Sequence, residues 1–115
     1  MKICYEGIGQ WAATFSAQEV SEGDLVKMTA NDQVTPCEED DDFCGVALFC
    51  ARDGSACTVQ LGGMVQLPYS GTAPDVGYVQ LVADGDGGVA ESDEAGRLHL
   101  VVQVDTTQQT LTMVL

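Results

Sequence analysis

Two apolar runs separated by a polar turn dominate the hydrophobic pattern. Within Phe43 to Tyr69 they flank Arg52-Asp53-Gly54-Ser55. In the first run Cys44, Val46, Leu48 and Cys50 share one parity, and Phe43, Ala47 and Phe49 the other. Successive strand side chains point to opposite faces, so this run predicts a strand buried on both. In the second, Val59, Leu61, Val65 and Leu67 alternate with Gln60, Met64 and Gln66. Asp53-Gly54 supplies the positive backbone angles of a tight reversal, which predicts an antiparallel hairpin. Gly62-Gly63 breaks the second strand and marks a bulge or a close backbone approach. Nothing in this stretch reads as catalytic.

Elsewhere the pattern predicts further short strands. Ser21-Glu22-Gly23-Asp24 turns into Leu25-Val26-Lys27-Met28, and Asn31-Asp32 turns the chain towards Val34, Thr35 and Pro36. Glu38 to Asp42 is an uninterrupted run of acids, whose self-repulsion predicts an exposed, solvated connection. Ser70 to Asp75 is a loop by composition. Gly77 opens a strand over Tyr78 to Val82, and Asp84-Gly85-Asp86-Gly87-Gly88 is a turn before Val89 and Ala90. A second hairpin ends the chain: Leu98, Leu100, Val102 and Val104 hold one parity, with His99, Gln103 and Asp105 on the other. Thr106 to Gln109 reverses it into Leu111, Met113 and Leu115. Residues 1–20 show no clean period and offer one short helical turn, Ser16 to Val20. The whole predicts an all-β fold: a small antiparallel barrel or sandwich of about seven short strands. An irregular N-terminal arm, 1–20, precedes a single domain, 21–115.

Composition narrows the function classes. A chain of 115 residues is the size of one domain. Eighteen acidic residues against four basic ones give a net charge of −14. That field repels phosphate backbones and anionic lipid, which argues against nucleic-acid and membrane partners. It favours basic partners or cations. Glu6, Gly7, Gly9 and Gln10 interrupt any leader-like apolar run after Met1, so the expected location is the cytoplasm. There, five cysteines are expected as reduced thiols.

Candidate chemistry is sparse. Cys37, Cys44, Cys50 and Cys57 lack the close CxxC pair that seeds a tetrahedral metal site, and Cys44 and Cys50 read as small core residues. Asp84 to Gly88 opens like a calcium loop but lacks its later ligands, so it reads as a glycine-rich turn. His99, the only histidine, falls on the polar parity of its strand and reads as a surface residue without a catalytic partner. No catalytic, cofactor-binding or metal-binding residue is assigned. The aromatic and apolar residues of the arm, Tyr5, Ile8, Trp11 and Phe15, are the candidate partner interface. Trp11 reads equally as a plug for one end of a barrel.

The order of these motifs carries a resemblance. Gly23-Asp24-Leu25-Val26, then Phe43-Cys44-Gly45-Val46-Ala47, then Thr58-Val59-Gln60-Leu61-Gly62-Gly63-Met64-Val65 lead to Gly77-Tyr78-Val79 and a closing strand over Leu111 to Leu115. This resembles the small all-β head decoration, or cement, proteins of tailed phages and prophages, over residues 21–115. The resemblance implies a non-enzymatic structural protein, a homo-oligomer (a trimer by preference) that binds capsid protein, made in the host cytoplasm and carried on the virion. Two other classes remain. One is a carrier or hammerhead-type module, suggested by Gly23 to Met28, although a carrier lysine belongs at an exposed hairpin tip and Lys27 falls inside a predicted strand. The other is a cation-binding or enzyme-like bacterial β domain.

Overall fold

A computed structural model describes residues 10–115 of the protein. Among these residues there are ten strands and no helix: β1 Trp11–Ala17, β2 Leu25–Ala30, β3 Gln33–Pro36, β4 Gly45–Cys50, β5 Ala56–Gly62, β6 Met64–Pro68, β7 Gly77–Ala83, β8 Val89–Glu91, β9 Arg97–Asp105 and β10 Thr110–Val114. The first five close into a barrel in the order β1-β3-β2-β4-β5, and the rest form an open sheet, β6-β10-β9-β7-β8. The all-β expectation holds, with more strands than the seven predicted. The additions include β1, in the segment read as an arm, and the division of the second apolar run into β5 and β6.

The predicted central hairpin is β4–β5, turning through Arg52–Ser55. Asp53 organises that turn, accepting from the Ser55 N–H at 3.0 Å and the Ser55 hydroxyl at 2.7 Å. The apolar run of β4 is explained by its position between two cores. Val46 packs in the larger cluster with Leu67, Leu81, Leu111 and Met113, whereas Ala47 packs inside the barrel with Val26, Val34, Cys57 and Val59. Leu25 and Val26 of β2 divide in the same way. The two-sided burial stops there, because Phe49 stands 67% exposed beyond a bulge between Ala47 and Phe49.

Gly62-Gly63 is more than a bulge: it is where the chain leaves the barrel for the open sheet. Gly63 takes φ +95°, a left-handed angle that glycine adopts without strain. A Cβ on Gly62 would run into the Trp11 indole. Gln60, buried at this corner, donates from Nε2 to the carbonyls of Gly62 (3.0 Å) and Met64 (3.2 Å). A buried amide left unpaired would cost roughly 1–3 kcal/mol, so these bonds fix the crossing.

Several sequence expectations are corrected here. Residues 11–17, grouped with the arm, form β1, which pairs antiparallel with β5 and parallel with β3 and so closes the barrel. The helical turn over Ser16 to Val20 is absent, since Ser16 and Ala17 belong to that strand. The acidic run is exposed in its side chains, apart from the half-buried Asp41, but not loose in its backbone. The Asp40 N–H donates to Ala83 O at 2.9 Å and the Ala83 N–H to Asp41 O at 2.9 Å, strapping the run to β7. Cys50 and Cys57 are directly opposite in the hairpin and form a disulfide, so they are not reduced thiols. Cys37 and Cys44 are free and half-buried.

The last correction concerns register. On β9 the core-facing residues are His99 and Val101, 4% and 1% exposed, while Leu98 points outward and is 57% exposed. A strand's side-chain period is two, so a shift of one residue exchanges its faces. The β9–β10 pairing carries such a shift between Thr112 and Met113, opposite Val102, and beyond it Val104 turns to the core. Hence His99 is not a surface residue. Its ring stacks on Phe43 with centroids 4.9 Å apart, and Nδ1 lies 3.2 Å from the Val114 carbonyl.

Candidate interaction surface

On β9 the apolar parity before the shift, Leu98 and Leu100, faces outward, so the open sheet presents an apolar outer face as well as an apolar core face. One cross-strand row runs Met64–Val114–Leu100–Tyr78 across β6, β10, β9 and β7. Beside it on one side lies Gln66–Thr112–Gln103, and on the other Leu98 opposite Gln80. None of these residues is charged, although the chain carries eighteen carboxylates. Tyr78 is 73% exposed and Leu98 57%, and Val76, immediately before β7, is 65% exposed. The face is not flat. One hollow of about 270 Å³ is lined by Met64, Gln66, Gln103 and Thr112; another of about 210 Å³ lies among Tyr78, Leu98, Leu100 and Val114 and also takes in the charged Arg97. Contiguous apolar surface of a few hundred Å² on a small protein commonly marks a contact site.

The opposite character appears at the seam between the sheets. A cleft of about 520 Å³ is lined by Glu39, Asp40, Asp84, Asp86, Glu91 and Asp93, with Ser70 and Thr72. Asp84 is already engaged: Oδ1 accepts from the N–H groups of Asp86 (2.7 Å) and Gly88 (3.0 Å), and Oδ2 from the Ser70 hydroxyl. Burial disfavours its charge, but these donors outweigh burial and hold its pKa below the usual carboxylate value. Its geometry is that of a turn organiser, as the glycine-rich reading expects. Among the described residues no group of three or more His, Cys, Asp or Glu side chains is arranged to hold a metal ion.

The remaining candidates are placed as follows. Lys27 sits inside β2, and its Nζ lies 2.6 Å from Asp41 Oδ2. The pair raises the lysine pKa and lowers that of Asp41, and the side chain is not at the exposed hairpin tip a carrier lysine requires. The Cys37 thiol is pushed up to about 12, first by burial and then by Asp41, so it stays protonated and unreactive. Burial likewise raises Cys44. With Cys50 and Cys57 bonded to each other, the four-cysteine set is not available as a ligand sphere.

Of the predicted interface residues, Tyr5 and Ile8 lie outside the described residues. Trp11 is 60% exposed, its indole over Gly62, so it is not a buried plug. Phe15 is half-buried against the barrel core. The sequence hides the uncharged face because apolar alternation in β9 predicts its core side and not its outer one. The signal available was that Tyr78, Leu98 and Leu100 leave Val79, His99 and Val101 as an equally apolar opposite set.

Comparison with known proteins adds no relative: no protein-family model matches the chain, and no curated protein sequence matches it.

Proposed function

We propose that this is a non-enzymatic structural protein that works by burying surface against other protein, its particular task being decoration of a phage or prophage capsid. The observation that carries the first part is the uncharged outer face of the open sheet, exposed on an otherwise strongly acidic chain. Charged residues are depleted at the centres of protein interfaces and aromatic residues enriched, which is the composition of this face around Tyr78. The capsid assignment rests on the motif order from Gly23 to Leu115, which resembles that of decoration proteins. A protein of this kind needs no chemistry. Its effect is to add contact area across the junctions of a shell.

The test is cosedimentation with shells assembled from the major capsid protein of the same genome. Saturable binding, with shells that then resist heat or chaotrope better, is the expected result. Absence of binding to intact shells at tens of micromolar protein would remove the capsid assignment while leaving the contact face to be explained.

A further inference from the structure

We infer that the occupant of the uncharged face is a second copy of this chain, packed face to face as a two-fold dimer. This rests on reading the face as a contact surface and names its partner. The first argument is electrostatic. Two molecules of charge −14 repel one another, and the repulsion is strongest where carboxylates meet. The rows through Tyr78, Leu98, Leu100, Val114 and Thr112 carry none, so copies approach here at least cost.

The second argument is self-complementarity. A two-fold contact sets the same patch against itself, so the patch must hold both halves of each interaction. Gln66, Gln80 and Gln103 each carry an amide donor and acceptor, and Tyr78 a hydroxyl that does both. The relief is uneven on both sides of the face: the exposed Tyr78 and Leu98 border one hollow with Leu100 and Val114, and a second is lined by Met64, Gln66, Gln103 and Thr112.

Area sets the strength. Four strands about 4.8 Å apart and three outward positions per strand give a footprint of about 400 Å². A standard interface covers roughly 800 Å² per partner, so the rim must contribute and the dimer is weak and concentration-dependent. Its salt response has a definite sign. Screening weakens the repulsion between the two acidic bodies more than it affects uncharged contacts, so added salt tightens the dimer. A face that meets its own copy closes at two, whereas the decoration-protein resemblance implies a trimer.

Sedimentation equilibrium of the full chain, from about 10 μM to 1 mM and from about 0.05 to 0.5 M NaCl, tests this. The expected result is a monomer–dimer equilibrium whose dissociation constant falls roughly threefold or more with salt. Leu98→Glu and the near-isosteric Gln103→Glu should each weaken the dimer by roughly tenfold or more, since each buries an unpaired carboxylate in an uncharged contact. Phe49→Glu, on the barrel, should leave the equilibrium unchanged. All three positions are exposed, and unchanged circular dichroism and melting would establish that the variants fold. A monomer throughout, a trimer, or a mass that responds to Phe49→Glu and not to the face variants would overturn the inference. Shells are absent from this experiment, so failure here is separate from failure to bind a capsid.

Discussion

The closed barrel and the open sheet use strands of similar length to opposite ends. The barrel interior is narrow, and its core is made of small side chains: Ala17, Val20, Val26, Val34, Ala47, Cys57 and Val59. Closure removes its edges and the Cys50–Cys57 disulfide staples one hairpin. The open sheet covers its inner face with larger residues, among them Phe43, Leu67, Tyr69, Leu81, Leu111 and Met113. Its two edges come together at one point, the bridge between Tyr69 and Val89. Among the described residues nothing packs over the outer face. The difference teaches where to look for work: a closed barrel completes itself, while an open sheet with apolar residues on both faces is left needing a partner for one of them.

The comparison breaks most visibly in the two cores. Leu81, 0% exposed at the centre of the open sheet, should cost about 2–5 kcal/mol when changed to alanine, read from urea unfolding with an unchanged slope. Val59→Ala, equally buried in the barrel, removes less volume and should cost about 2 kcal/mol. Equal losses would mean that the cores are not graded as described. The disulfide closes a loop with a sequence separation of 7. Its reduction, or Cys50→Ser, should cost about 2–3 kcal/mol in the loop-entropy account. Amide exchange should then speed up in β4 and β5 and hardly change in β9 and β10.

Smaller effects sharpen the seam. Gly62→Ala should cost about 1–3 kcal/mol by overpacking against Trp11, and the loss should shrink in a Trp11→Ala background. A double-mutant cycle showing no coupling would remove Trp11 from the corner. His99 gives a pH signature. Burial, followed by nearby Arg97, lowers its pKa below the ordinary 6.5, against the opposing pull of the Val114 carbonyl and Asp42. Below pH 6.5 the unfolded chain takes up a proton that the folded chain resists. Stability from this residue is therefore complete above pH 6.5 and declines as pH falls through that value. Unfolding free energies between pH 7.5 and about 5.5, above most carboxylate titrations, should fall for the wild type and flatten for His99→Gln.

Much of the fold was legible in the sequence. The Asp53-Gly54 turn located the central hairpin, and centring the pairing on it sets Cys50 opposite Cys57, a pairing that the expectation of reduced thiols hid. Gly62-Gly63 was recognised as a break, but one run of alternating residues gives no sign that its halves lie in different sheets. β1 was hidden because only Ala17 of its seven residues is fully buried, which leaves no period to detect. The outer face was the hardest to see. Alternation marks two faces of a strand without saying which one is inside, and the irregularity opposite Val102 exchanges them within β9. The ring of His99, stacked on Phe43, fills a core position that polar–apolar counting assigned to solvent.

The central claim is that the open sheet's outer face is the working surface and the barrel wall is not. Its most direct test is attenuation of methyl resonances by a soluble paramagnetic agent, in dilute and in concentrated protein. The account predicts that Met64, Leu98, Leu100 and Val114 lose attenuation on concentration, while Met28 of the barrel, 45% exposed, does not change. Protection of Met28 with the four sheet methyls unchanged would contradict it.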